Sequence, residues 1–311
     1  MKKNIFIDAR DVFEKLIETE DCGIPGTRVF DSGKPGPVLG VAAMIHGNEP
    51  CGLAVDELLE KENILTRGKV IFALGNIEAA SHYFEENDRN KRLGYRCLKT
   101  NLNRVPITFE ESDEELKRFR KLIEVFSSCD AVFDFHSTSL PGGRMLIPND
   151  LLNSNLQIGV NYVITRIFPL MKLKTFIEHL CHRNVPGAVI ECGVHEEQDT
   201  WDFVKYAFFK VLSHLGMANG NHAQIHINAF NEIKPVEIEV FEAVWFPSNT
   251  FRMVKNFENF EPVRKGSPLA YDTETGDILQ SPEDGFILFP FPVGHEKGTR
   301  EEACFIGRKK C

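Results

Sequence analysis

The sequence predicts an α/β fold followed by a smaller all-β domain, and three observations support this. Through the first two thirds of the 311 residues, short apolar runs rich in β-branched and aromatic side chains alternate with amphipathic stretches, the pattern of helices layered on a sheet. After about Asn221 the texture changes to β-rich segments separated by Pro and Gly. Hydrophobic residues make up 42% and charged residues 26%, which leaves material for a sizeable core and argues against disorder. The expected division is residues 1–221 for the α/β domain and 222–311 for the β-rich one.

Taken in chain order, Val38 to His46 reads as a strand, with Pro50 opening a helix through Leu53 and Leu58. Gly68 to Asn76 reads as a second strand; both are near-continuous apolar runs bounded by turn residues, as buried parallel strands are. Asp113 to Ser127 spaces Leu116, Phe119, Leu122, Ile123 and Phe126 along one helix face. Two short β runs follow, Asp130 to His136 and Gly187 to Cys192. Between Asp199 and Leu215, Trp201, Val204, Phe208, Val211, Leu212 and Leu215 repeat the helical spacing. In the tail, Val236 to Phe246, Pro268 to Tyr271 and Gly285 to Phe289 read as strands. Turn signals at Asp272 to Asp277 and Ser281 to Gly285 frame Ile278 to Gln280, as a small barrel or sandwich requires.

Charge and cysteine usage narrow the class. Lys and Arg number 36 against 45 Asp and Glu, a net charge of −9, so the global attraction to phosphate that dominates nucleic-acid binding is missing. No apolar run reaches the ~18 residues of a membrane span, and the eight cysteines form no Cys-x-x-Cys pair or tight framework. The expectation is a cytoplasmic protein with neither nucleic acid nor membrane as partner; homo-oligomerisation is left open.

Four places could carry chemistry. His46-Gly47-Asn48-Glu49-Pro50 follows the first strand, where open α/β sheets put their ligands, and Gly47 permits a tight turn aiming His46 and Glu49 at one point. The same pentapeptide also fits a solvated turn with a capping carboxylate. In Phe133-Asp134-Phe135-His136, alternation sends Asp134 and His136 to one face. A strand-end histidine is commonly structural, yet an acid two residues away can orient a ligating imidazole, and two histidines with one glutamate are a ligand set of catalytic zinc. Glu191 is embedded in the apolar run Ala188 to Cys192, so its desolvation needs a partner or a proton; a salt bridge and a general base of raised pKa both answer. Arg96 and the stretch Asn101-Leu102-Asn103-Arg104 read either as a charged surface loop or as guanidinium forks for carboxylates and oxyanions.

In this order, HGNEP, Arg96 eight residues before Arg104 in NLNR, DFHST and IECG resemble the aspartoacylase and succinylglutamate desuccinylase family, a branch of the zinc carboxypeptidase superfamily. The resemblance spans about residues 38 to 216 and continues weakly into the tail. It implies a zinc-carboxypeptidase-like mixed sheet with helices on both faces, and a zinc-dependent hydrolase domain over residues 1–221. It implies one zinc ion per chain held by His46, Glu49 and His136, with Asp134 behind a ligating imidazole. Glu191 would be the catalytic acid/base, Arg96 would polarise the scissile carbonyl, and Asn103 and Arg104 would hold a substrate carboxylate. The tyrosine and arginine with which aspartoacylases bind the aspartyl part are replaced at the corresponding offsets by Ile177 and Cys181. Arg144 and Arg183 are the arginines that could substitute by a different geometry, which puts N-acetylaspartate itself in doubt.

The activity so implied is deacylation of a small anionic N-acyl amino acid, with the β-rich tail narrowing the entrance. A carboxypeptidase acting on peptides or cell-wall fragments with the same metal apparatus is the nearest rival. A non-catalytic relative binding a metabolite or partner protein is the rival from another class, and a cysteine hydrolase using Cys192 or Cys51 with His195 is a third.

Overall fold

The computed structural model describes residues 5–139, 141–153, 156–218, 230, 233–291, 293 and 302–310. Its N-terminal elements are α1 (Ile5–Leu16), β1 (Thr27–Asp31), β2 (Val38–Ala43), α2 (Leu53–Lys61), β3 (Lys69–Leu74), α3 (Ile77–Glu85), α4 (Arg89–Arg92), α5 (Glu114–Phe126) and β4 (Ala131–Thr138). There follow β5 (Met145–Pro148), β6 (Tyr162–Thr165), α6 (Phe176–Cys181), β7 (Gly187–Val194) and α7 (Gln198–His214). The C-terminal strands are β8 (Val236–Trp245), β9 (Phe251–Met253), β10 (Pro262–Val263), β11 (Pro268–Asp272), β12 (Ile278–Gln280), β13 (Gly285–Leu288) and β14 (Glu302–Lys309).

The apolar runs read from the sequence lie side by side as the parallel strands β3, β2, β4 and β7. They form the middle of an eleven-stranded mixed sheet in the order β1-β3-β2-β4-β7-β5-β6-β8-β14-β13-β10. A separate three-stranded antiparallel sheet, β12-β11-β9, packs a small core around Leu269, Phe251 and Ile287. The boundary expected near 221 falls outside the described residues. Beyond it, β8 pairs parallel with β6, so the C-terminal strands extend the large sheet.

Alternation along the strands sorts side chains to two faces. Val41, Phe133, Phe135 and Ile190 meet α1, α2 and α7 on one face, while Ala42, Val132 and Val189 meet α5 and α6 on the other. The expectation of helices on both faces holds. No helix among the described residues is long and apolar enough to cross a membrane.

Two details shape the edge where the parallel strands end. The strand read as Val38 to His46 stops at Ala43, because Met44 turns into the left-handed region at φ 55°. The exit of β3 stabilises that turn, with Gly75 N–H donating to Ala43 O at 2.7 Å and Asn76 N–H to Met44 O at 2.8 Å. Gly47 follows, and a Cβ there would lie 2.5 Å from the carbonyl carbon of Ala79, so only glycine lets the turn pack against α3. Pro50 then starts a single 3₁₀ turn, Pro50–Gly52, ahead of α2.

On the α7 face, buried Glu57 joins α2 to α7 by accepting from Lys205 at 2.5 Å, Lys61 at 2.6 Å and Trp201 Nε1 at 2.8 Å. Burial opposes its ionisation, but the hydrogen bonds from Lys205, Lys61 and Trp201 outweigh burial and hold its carboxyl down at about 2. A depressed folded-state pKa adds stability that is full above the unfolded value near 4.3 and is lost as pH falls through the folded one. Urea unfolding of wild type and Glu57→Gln is therefore expected to show the wild type more stable at pH 7, with the gap closing between about pH 4.3 and pH 2. A gap that persists unchanged at pH 2 would exclude this ionisation as its source.

Candidate metal centre and active site

The parallel strands all end at one edge of the sheet, and there the turn after β2 delivers His46 and Glu49 beside His136 of β4. All three are buried, and their ligand atoms lie within 4.8 Å of one another. Glu49 spans the two rings: its Oε1 is 2.9 Å from His46 Nδ1 and its Oε2 is 2.8 Å from His136 Nδ1. Two further donors reach it, Arg96 Nη1 at 2.6 Å on Oε1 and Ser137 N–H at 3.1 Å on Oε2.

The outer nitrogens of both rings are committed. His136 Nε2 lies 2.6 Å from Asp134 Oδ2, so the carboxylate behind the ring takes the Nε2 proton. His46 Nε2 lies 3.1 Å from Asn101 Oδ1, and that oxygen also accepts the Asn103 N–H at 2.9 Å, which fixes the amide with its oxygen toward the ring. His46 therefore carries its proton on Nε2. Burial and the nearby Arg96 cation hold its pKa down at about 3, so it takes no second proton and Nδ1 presents a lone pair to a carboxylate oxygen. Two lone pairs at that distance repel unless a cation joins them. Burial opposes charge on His136 too, but Asp134 and Glu49 outweigh it and hold its pKa well above the usual histidine range. The donor set of two imidazoles and one carboxylate thus fits a divalent ion, which would replace the proton on His136 Nδ1.

Glu191 stands opposite His136 in the β4–β7 register. The pairing shifts between His136 and Thr138, the local irregularity with which strands re-aim side chains near sites. Its Oε2 is buried with no hydrogen-bond partner among the described residues. Burial pushes the Glu191 carboxyl up to about 7, with His136 and Arg96 opposing and Glu49 and Asp134 adding to the rise. Arg104 is half-buried near this group, donating from Nη1 to Asn103 O at 2.7 Å, with Glu302 of β14 at 3.8 Å from its Nε. Asn103 is bound to the fold, its Oδ1 accepting the Phe176 N–H at 2.9 Å at the start of α6.

The structure does not bring the other two arginines to the site. Arg144 lies on the α7 face, stacked 4.2 Å from the Phe203 ring and bonded to Asp199 at 2.5 Å. Its neighbour Met145 pairs with Glu191, so alternation places Arg144 on the side away from it. Arg183 is exposed in the turn after α6, before the start of β7. Glu191 lies four residues along that strand from Gly187, roughly 13 Å at ~3.3 Å per residue. The cysteine arrangement is also absent: Cys192 donates to Ile190 O in the core, burial pushes its thiol well above the usual range, and His195 is bonded to Ser137 instead.

Sequence reasoning missed three contributors. Asn101 was visible only as an amide in a polar stretch, and its role as the acceptor behind His46 needs a contact across 55 residues. Ser137 holds Glu49 through its backbone N–H, which no side-chain pattern signals. His195, buried, bonds Ser137 Oγ at 2.7 Å through Nδ1 and Ser139 Oγ at 3.3 Å through Nε2, tying the exits of β4 and β7 together.

No family model and no curated protein matches the chain. Among solved structures, a succinylglutamate desuccinylase/aspartoacylase from Rhodobacter sphaeroides is similar with a TM-score of 0.64 and 17% identity, covering 92% of this chain and 88% of that one. The succinylglutamate desuccinylase from Chromobacterium violaceum gives 0.63 and 15% over 100% and 99% of the two chains. The product-bound ectoine utilization protein EutE (DoeB) from Ruegeria pomeroyi gives 0.62 and 16% over 91% and 88%. The structural neighbours are thus proteins of the succinylglutamate desuccinylase/aspartoacylase family, and the chain shares their fold along most of its length.

If Asn101 and Asp134 orient the ligating rings, Asn101→Ala and Asp134→Ala should each weaken zinc binding about 10–100-fold, measured by competition with a chromophoric chelator. An unchanged dissociation constant for either variant would remove that residue from the set.

Proposed function

We propose that the protein is a zinc-dependent amidohydrolase that removes the acyl group from a small anionic N-acyl amino acid. The observation that carries this reading is the convergence of buried His46, Glu49 and His136, whose ligand atoms lie within 4.8 Å of one another, beside an unpartnered Glu191 oxygen. Two neutral nitrogens and one carboxylate oxygen leave room in a four-coordinate zinc sphere for one exchangeable position. His46, Glu49 and His136 would hold the ion, one per chain. When bound, it supplies a positive centre that polarises an amide carbonyl and makes a water acidic enough to lose a proton near neutral pH.

The remaining steps belong to the chain's own residues. Glu191 takes a proton from the attacking water as the water oxygen bonds to the amide carbon. A carboxyl raised to about 7 suits that work, because a base of that strength can also return the proton near neutral pH. The carbonyl oxygen gains negative charge, and Arg96 is the flexible cation at the rim that can donate to it, its side chain being 44% exposed. As the C–N bond breaks, Glu191 passes its proton to the leaving amine, giving a free carboxylic acid and an amino acid. Arg104, with Asn103 supporting it, is the half-buried guanidinium available to the amino acid's carboxylate.

In this reading residues 1–221 carry the chemistry, and the tail contributes through Glu302 behind Arg104. The neighbours that share the fold include succinylglutamate desuccinylases, which supports hydrolysis of a linear amide in a small molecule.

The test is to incubate the zinc-loaded protein with a panel of N-acetyl, N-succinyl and N-formyl amino acids and detect free amine, with short peptides as the alternative substrates. Release of an acid plus one amino acid is expected; a shortened peptide alone would identify a carboxypeptidase instead. Glu191→Ala should nearly abolish turnover with zinc still bound, and loss of the zinc would make Glu191 a ligand. Arg96→Ala should lower kcat by about 10²–10³, the cost of removing an oxyanion donor, and near-normal turnover would refute its role.

A further inference from the structure

Arg96 is half-exposed in an irregular segment between α4 and α5; its guanidinium donates to Glu49 and its carbonyl accepts the Gly47 N–H at 3.0 Å, so the placement of the segment decides where the guanidinium reaches. Two carboxylates from distant parts of the chain hold the backbone on either side. Ahead of it, Glu196 accepts from Tyr83 Oη at 2.7 Å, from Arg89 Nε at 2.9 Å, and from Arg92 through Nε at 2.8 Å and Nη2 at 3.1 Å. These bonds clamp α3 and α4 to the exit of β7. Glu196 makes them from the left-handed region, at φ 59°, a conformation a glutamate keeps only when its surroundings impose it.

Behind it, Glu115 in the first turn of α5 is buried and accepts three consecutive backbone N–H groups. Leu98 donates to Oε1 at 2.9 Å, and Lys99 and Thr100 donate to Oε2 at 2.7 and 2.5 Å. Asn76 Nδ2 adds a fourth bond at 2.5 Å, and the Asn76 backbone is itself bonded to Met44 in the turn that carries His46. Successive N–H groups converging on one carboxylate form an anion-binding nest, here filled by a side chain of the same molecule. The residue after the nest is Asn101, which orients His46.

We propose that Glu115 and Glu196 are positioning residues that hold the Arg96 segment over the metal centre, with Glu115 also setting Asn101 behind His46. The proposal rests on the hydrolase reading for its kinetic part alone. Glu115→Gln keeps the size of the side chain but puts an amide donor where the nest supplies only donors. Glu196→Gln removes the charge from the clamp on Arg89 and Arg92.

Three measurements on the full chain decide it. In the metal-free protein, hydrogen exchange of the peptide covering residues 98–100 should speed at least tenfold in Glu115→Gln while peptides of β4 and β7 stay protected; unchanged exchange overturns the nest. Zinc affinity should fall at least fivefold in Glu115→Gln, should not change in Glu196→Gln, and should show no further loss when Glu115→Gln is added to Asn101→Ala. Equal losses in both backgrounds would overturn the link to His46.

With the best substrate from the panel, Glu196→Gln should lower kcat about tenfold with KM changed less than threefold, and this effect should vanish in an Arg96→Ala background. The same loss in that background would mean that Glu196 acts on general stability and not through Arg96. If wild type hydrolyses nothing in the panel, the hydrolase reading fails, while the exchange and zinc measurements still decide the role of Glu115. Should Glu115→Gln not fold, exchange of residues 89–96 in Glu196→Gln decides the clamp, fast exchange supporting it and unchanged exchange overturning it.

Discussion

The carboxylate of Glu49 is the interaction on which the site depends. A carboxylate that is only 2% exposed loses its hydration, and the fold has to replace it. Burial alone would keep Glu49 protonated, but the cations of His136 and Arg96 beside it hold its pKa well below the usual carboxylate range. The two come from different segments, and a third donor, the Ser137 N–H, comes from the backbone of β4. Removing any one leaves a buried charge partly uncompensated, so the turn after β2, the end of β4 and the Arg96 segment are bound to a common centre.

That centre exists because four parallel strands finish together. The register pairs His136 with Glu191 and Ala42 with Asp134, which sets the Glu191 carboxylate, the His136 ring and the acid behind it on one face. A slip of one residue in β7 would turn Glu191 into the apolar layer formed by Phe135, Ile190 and α7. The continuous apolar faces of the same strands specify the register, since Phe133 and Phe135 fit only the α7 side. Core packing thereby determines where the polar groups stand.

The legible and illegible parts of the molecule divide along the range of the interactions. The strands at β2, β3, β4 and β7 and the helices α5 and α7 announce themselves through local periodicity, and their observed bounds differ from the sequence reading by a few residues at most. The short strands β1, β5 and β6 gave no such signal, because strands of four or five residues are stabilised by partners remote in the chain. Among candidate site residues, His46, Glu49, His136, Asp134, Glu191 and Arg96 come together because each sits at a strand end or on a segment bonded to one. Arg144 and Arg183 were chosen for their chemistry without a face to place them on. The pleat of β5, whose pairing with β7 no local pattern reveals, carries Arg144 to the side away from Glu191, and Arg183 stands before the amino end of β7 while Glu191 lies further along it. The roles of Asn101 and His195 were not legible because a side chain that orients another is defined by its contact and not by its residue type.

Backbone conformation shows what the arrangement costs. Met44 and Glu196, neither of them glycine, occupy the left-handed region at φ 55° and 59°, each next to a segment that carries a site histidine. Such residues cost of order 1–3 kcal/mol each and persist only where the surroundings over-determine them. Met44 is fully buried with its carbonyl bonded to Asn76, and Glu196 receives four hydrogen bonds. The offset comes from the rest of the fold: the large aromatic side chains beneath the sheet, and the Glu57 clamp between α2 and α7, contain no catalytic group. Because both strained residues are held by partners outside the His46–Glu49–His136 cluster, the geometry of that cluster is set by the surrounding fold.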